Sequence, residues 1–120
     1  MTSPLGRLVI YTRKVDEMVA FYCRHFGFEA VRRDGDRIVE LKPHNGGATI
    51  LLHPAGRGQK QGQALVKLVF DVKDVPAFCA ASAQRGLTFG PIHDVGGYAF
   101  ANAKDPSMNS IQVSSRAFMS

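Results

Sequence analysis

The chain has 120 residues, 45% hydrophobic and 21% charged, with a formal net charge of +5, two cysteines and no tryptophan. That is one domain's worth of chain, or two small modules sharing a core, and it can bury roughly two thirds of its unfolded surface without help from a metal or disulfide. No apolar run approaches the roughly 20 residues needed to span a bilayer, so a membrane is not an expected partner.

The basic excess is scattered. Only the doublets Arg13-Lys14 and Arg32-Arg33 stand out, with no basic helix stripe and no aromatic RNA-binding strand motif. Nucleic acid is therefore not an expected partner, and the charge favours an anionic small ligand instead. The opening MTSPLGRLVI lacks a basic region followed by an apolar core, so the cytoplasm is the default location. Cys23 and Cys79 form no C-x-x-C spacing and read as free thiols.

In chain order, residues 5–12 alternate as a strand. A helix over 15–26 follows, with Val15, Met18, Val19, Tyr22 and Phe26 on one face. Asp16 and Glu17 begin it, and Arg24, His25 and Gly27 end it, with His25 read as a surface cap. Strands at 28–33 and 37–42 flank the turn Asp34-Gly35-Asp36, and another runs over 48–53 after Pro43-His44-Asn45-Gly46-Gly47.

PAGRGQKQGQ, with three glycines and no periodicity, reads as a linker. The second half then offers a strand over 63–72 and a helix over 75–85 with Pro76 in its first turn. Strands over 87–92, 98–103 and 110–114 follow, the first interrupted by Pro91. Val15, Met18, Val19 and Tyr22 recur sixty positions on as Val75, Phe78, Cys79 and Ser82, and Arg7 recurs as Lys67. The fold class is α+β, an internal duplication of a β-α-β-β-β module. The expected limits are 1–54 and 64–120, with 55–63 between them, in one structural domain.

These residues resemble the vicinal oxygen chelate superfamily, which includes glyoxalase I, bleomycin-resistance proteins and extradiol dioxygenases. The resemblance rests on Val15-Asp16-Glu17-Met18-Val19-Ala20-Phe21-Tyr22 with Phe26-Gly27-Phe28, similar to an aliphatic-acidic…A-F-Y…L-G-F pattern. In the second half, Phe70-Asp71-Val72-Lys73-Asp74-Val75 is similar to F-E-V-D-D-L, and Asp105-Pro106-Ser107-Met108-Asn109-Ser110-Ile111 to D-P-D-G-N-x-I. The resemblance implies two cupped half-barrels around a cleft, and a homodimer. It also implies four metal ligands, one on the first and one on the last strand of each module.

Those four positions are Arg7, Leu51, Lys67 and Gln112. Arginine and lysine repel a divalent cation and leucine offers no donor, so no metal cofactor is expected. Strand parity then gathers Arg7, Tyr11, Leu51, His53, Lys67 and Gln112 as candidate ligand-binding residues facing the cleft. Arginine and lysine suit a carboxylate or phosphate, and His53 has the range for acid–base work. The residues leave open that the two cations are solvated strand ends and that His53 only closes a strand. His93 with Asp94 is a conceivable dyad in a loop, and Phe70, Phe89, Tyr98 and Phe100 read as core, with an apolar floor for a ligand in the cleft as the alternative that parity leaves open.

Three functions stay open: a metal-free binding protein for a small organic ligand, a lyase or dioxygenase with unconventional ligands such as His53, His93 and Gln112, and a homodimeric interaction module. No catalytic residue can be named.

Overall fold

The structure, a computed structural model, describes residues 1–119. It divides into two compact units, Met1–Gln61 and Gly62–Ser120. Each carries one helix and one four-stranded mixed sheet.

In unit 1 the elements are β1 (Arg7–Thr12), α1 (Val15–Phe26), β2 (Glu29–Val31), β3 (Val39–Lys42) and β4 (Thr49–Pro54). The sheet order is β1-β4-β3-β2, with β1 parallel to β4 and the other pairs antiparallel. The parallel pair follows from the helix, which carries the chain away from β1 so that β4 can return in the same sense. Thr12 starts that crossover: its buried Oγ1 accepts from the Lys14 N–H at 2.9 Å.

Alternation along the strands sorts two faces. Thr12, Val39, Leu41, Ile50 and Leu52 are buried, and α1 packs against β3 and β4. The helix supplies Met18 and Tyr22, both fully buried, while Val15, Val19 and Phe26 are only half-buried. His25 is buried too, its ring 5.0 Å from that of Phe21. The expected surface cap is thus a wall of the core, because at three residues from Tyr22 it lies on the helix flank that meets the sheet. Gly27 ends α1 at φ 73°, with its N–H on the Cys23 carbonyl and the Phe28 N–H on that of Tyr22. That paired closure needs a left-handed residue, which glycine adopts without Cβ strain.

Unit 2 repeats the plan with β5 (Lys67–Asp71), α2 (Val75–Gln84), β6 (His93–Val95), β7 (Tyr98–Lys104) and β8 (Ser110–Ser114), then a short 3-10 turn at Arg116–Phe118. Its order is β5-β8-β7-β6, with β5 parallel to β8. Val75, Leu87, Phe89, Ala101, Ile111 and Val113 are buried in this unit, and Phe78 of α2 meets Phe89 edge-on at 6.2 Å.

Two expected strands depart most from the observed ones. The strand over 63–72 begins only at Lys67, since Leu65 and Val66 are exposed and have no face to bury. The strand over 87–92 is irregular, and β6 lies at His93–Val95 instead. Pro91 has no N–H to give a ladder, and this stretch is tied to β7 by a backbone bond from the Gly90 N–H to the Asn102 carbonyl at 2.8 Å. Pairing resumes beyond it because Gly96 and Gly97, at φ 46° and 109°, close a two-residue hairpin that sets Val95 opposite Tyr98. His93 and Asp94 therefore sit on a strand rather than in a loop.

Candidate ligand site on the open sheet faces

Each sheet has a second face that its own helix does not cover. In unit 1 that face carries Arg7, Val9 and Tyr11 from β1, and β1–β4 register places them beside Thr49, Leu51 and His53. Arg7, Val9 and Tyr11 are exposed, while Leu51 and His53 are half-buried. Four of the six residues singled out from the sequence, Arg7, Tyr11, Leu51 and His53, thus share one face.

Tyr11 and His53 form a ring pair with centroids 5.1 Å apart. His53 Nδ1 lies 2.8 Å from the Pro54 carbonyl oxygen. A carbonyl only accepts, so Nδ1 carries the proton and a neutral His53 keeps its lone pair on Nε2. Glu40, opposite Leu51, takes two bonds from Arg33, from Nε at 3.2 Å and from the terminal nitrogen at 3.0 Å.

The corresponding face of unit 2 carries the rings of Tyr98 and Phe100. It holds a hollow of about 560 Å³, within the range of small-molecule sites. Val69 of β5 and the rings of Tyr98 and Phe100 form its apolar part, and Asp71, Gln112, Ser114 and Arg116 its polar part. The rings are arranged rather than scattered. His93 stacks on Phe100 at 4.9 Å and 29°, and Tyr98 lies 6.1 Å from Phe100 at a similar 30°. The Arg116 guanidinium sits 5.1 Å above Tyr98, a cation–π contact that occupies its flat face.

Lys67 and Gln112, the remaining two candidates, are joined on this face through Asn102. Asn102 Oδ1 accepts from Lys67 Nζ at 3.0 Å and from Gln112 Nε2 at 2.9 Å. Sequence reasoning missed Asn102 and set Tyr98 and Phe100 down as core in preference to a ligand floor. The β7–β8 register places Asn102 opposite Gln112, and Tyr98 and Phe100 share the parity of Asn102. Phe89 is core as expected, whereas Tyr98 and Phe100 are half-buried at the hollow.

The four positions where the family resemblance implies metal ligands hold two cations, an alkyl side chain and one amide. That donor set does not fit a divalent cation. Of the unconventional donors, Gln112 bonds to Asn102 through Nε2 and His93 stacks on Phe100, while His53 belongs to the other unit. Among the described residues no group of three or more His, Cys, Asp or Glu is placed to hold a metal ion. No helix among the described residues is long and apolar enough to cross a membrane.

Comparison with known proteins places this architecture. Residues 5–113 match the family model of the Glyoxalase/Bleomycin resistance protein/Dioxygenase superfamily. Among solved structures, UcmS2 is similar with a TM-score of 0.78 and 20% identity, covering 96% of this chain and 99% of that one. TnmS3, an antibiotic binding protein from Streptomyces sp. CB03234, gives 0.77 and 19%, covering 93% and 94%. A lactoylglutathione lyase from Agrobacterium tumefaciens gives 0.74 and 20%, covering 98% and 97%. No curated protein sequence matches the chain.

Proposed function

We propose that this chain, which belongs to the Glyoxalase/Bleomycin resistance protein/Dioxygenase superfamily, is a metal-independent binding protein for a small organic molecule. The observation that carries the reading is the hollow on the unit 2 sheet, where the rings of Tyr98 and Phe100 lie beside Asp71, Gln112, Ser114 and Arg116. Small-molecule sites likewise combine apolar and aromatic surface with polar groups that fix orientation. The family contains both enzymes and binders, so fold alone does not choose between them. The donor set argues against the metal-using enzymes, and the antibiotic-binding relative TnmS3 supports a binding role.

The expectation of an anionic ligand rested on the net charge and on Arg7 and Lys67. Lys67 is bonded to Asn102, and the hollow carries Asp71 as well as Arg116. Ring surface, rather than net charge, then selects the ligand. Arg7, Tyr11, Leu51 and His53 offer a second, more open contact face on unit 1, and pairing into a homodimer belongs to the same proposal.

The test is calorimetric titration with flat aromatic and aliphatic compounds, run before and after exhaustive treatment with a chelator. The reading expects aromatic compounds to bind with unchanged affinity after chelation, and Phe100→Ala to weaken them about tenfold or more, as loss of a stacking ring does. Binding that vanishes on chelation and returns with a divalent metal contradicts it.

A further inference from the structure

The bonds joining Lys67, Asn102 and Gln112 have a direction that follows from chemistry alone. A lysine ammonium has three donors and no acceptor. The atom of Asn102 that lies 3.0 Å from Lys67 Nζ must therefore be its oxygen, Oδ1. Turned the other way, the amide would aim an NH2 group at an ammonium. Gln112 approaches the same oxygen at 2.9 Å, so it must do so with its own donor, Nε2. Each amide is thereby fixed by the one before it, and the oxygen of Gln112, Oε1, is left as the acceptor that Gln112 contributes to the hollow. Asp71 adds a carboxylate to the same lining, which also holds the Ser114 hydroxyl and Arg116; Arg116 rests on the ring of Tyr98 and keeps its N–H donors.

Resting on the binding role proposed above, we infer that the hollow selects planar aromatic compounds bearing a hydrogen-bond donor, a phenol O–H or an amine N–H, and that Lys67 and Asn102 are positioning residues for Gln112. The ring lies along the Phe100 and Tyr98 side chains. Its donor group bonds to Gln112 Oε1, which cannot rotate to offer Nε2 without losing its bond to Asn102. A ligand group that offers only acceptors against Gln112 Oε1 meets another acceptor there, and that bond is not made.

The experiment is calorimetric titration of the full chain with 2-naphthol, 2-methoxynaphthalene and 2-naphthoate. The naphthol and its methyl ether share the same ring system, and the ether is the more apolar, so hydrophobicity alone favours the ether. The inference expects the naphthol to bind about tenfold more tightly than the ether, one retained hydrogen bond's worth. In Lys67→Met and in Asn102→Leu the amide of Gln112 is free to turn, and the ratio between the two ligands falls severalfold while ring affinity persists. Lys67→Arg, which keeps a pure donor, preserves the ratio. The ratio is the readout because a merely structural role for Lys67 would lower both affinities together.

Equal binding of naphthol and ether, tighter binding of 2-naphthoate, or an unaltered ratio in both variants overturns this inference and leaves ring binding standing. Failure of all three compounds to bind overturns both the inference and the ring-binding reading beneath it.

Discussion

Met108 is the only described residue other than glycine with a positive φ, at 66°. It occupies the turn in which buried Asp105 binds the Ser107 and Asn109 N–H groups, each at 2.9 Å, through Oδ1. The left-handed region costs an L-residue about 1–2 kcal/mol that glycine does not incur. Met108→Gly should therefore raise unfolding free energy by about 1 kcal/mol in denaturant titration, less what glycine adds to unfolded-chain entropy. Ser82 gives a second residue-scale case. It is fully buried in α2 and its Oγ has no hydrogen-bond partner among the described residues. Ser82→Ala removes that unpaired hydroxyl and improves helix propensity, so a gain of about 1 kcal/mol is expected, and a loss would show that the hydroxyl has a bonded partner. Burial also pushes the Cys79 thiol above its ordinary pKa. The folded state then holds the proton longer than the unfolded chain. Stability is full below the ordinary thiol pKa and declines as pH rises beyond about 8.5. Cys79→Ala should flatten that alkaline segment of the melting-temperature profile.

At the scale of the element, the two helices are closed by different means. In α2, Asp74 caps the N-terminus by accepting from the Ala77 N–H at 3.0 Å, whereas α1 has no side-chain cap. Asp74→Ala should cost about 1 kcal/mol, read as a shift of the urea midpoint without a change of slope. Most elements were legible before the structure: α1 and β8 carry the expected limits. Glycine stops, proline positions and strand alternation are local signals, and they act over the few residues that a periodic pattern samples. β6 was displaced because the run Leu87–Phe89 reads as a strand by hydrophobicity, yet its apolar residues bury without a ladder once Pro91 removes a donor. The same limit applies to the site. Parity could place Lys67 and Gln112 on one face, but the oxygen that joins them belongs to Asn102, supplied by a neighbouring strand whose register the sequence does not reveal.

For the whole molecule, duplication explains both the fold and the divergence of its two faces. Each β-α-β-β-β unit buries one sheet face under its helix and leaves the other open. Corresponding positions on the open faces have since acquired different chemistry: Leu51 against Gln112, Glu40 against Asn102, Tyr11 against Asp71. Unit 1 closes its acid in a pair with Arg33, while unit 2 turns its amides toward a ringed hollow. The central claim is that this second face binds a flat organic molecule without a metal. Amide chemical-shift mapping of chelator-treated protein titrated with 2-naphthol tests it most directly. The account predicts that the shifts concentrate at Val69, Tyr98, Phe100 and Gln112 and are unchanged by added zinc or manganese; shifts elsewhere, or shifts that require the metal, contradict it.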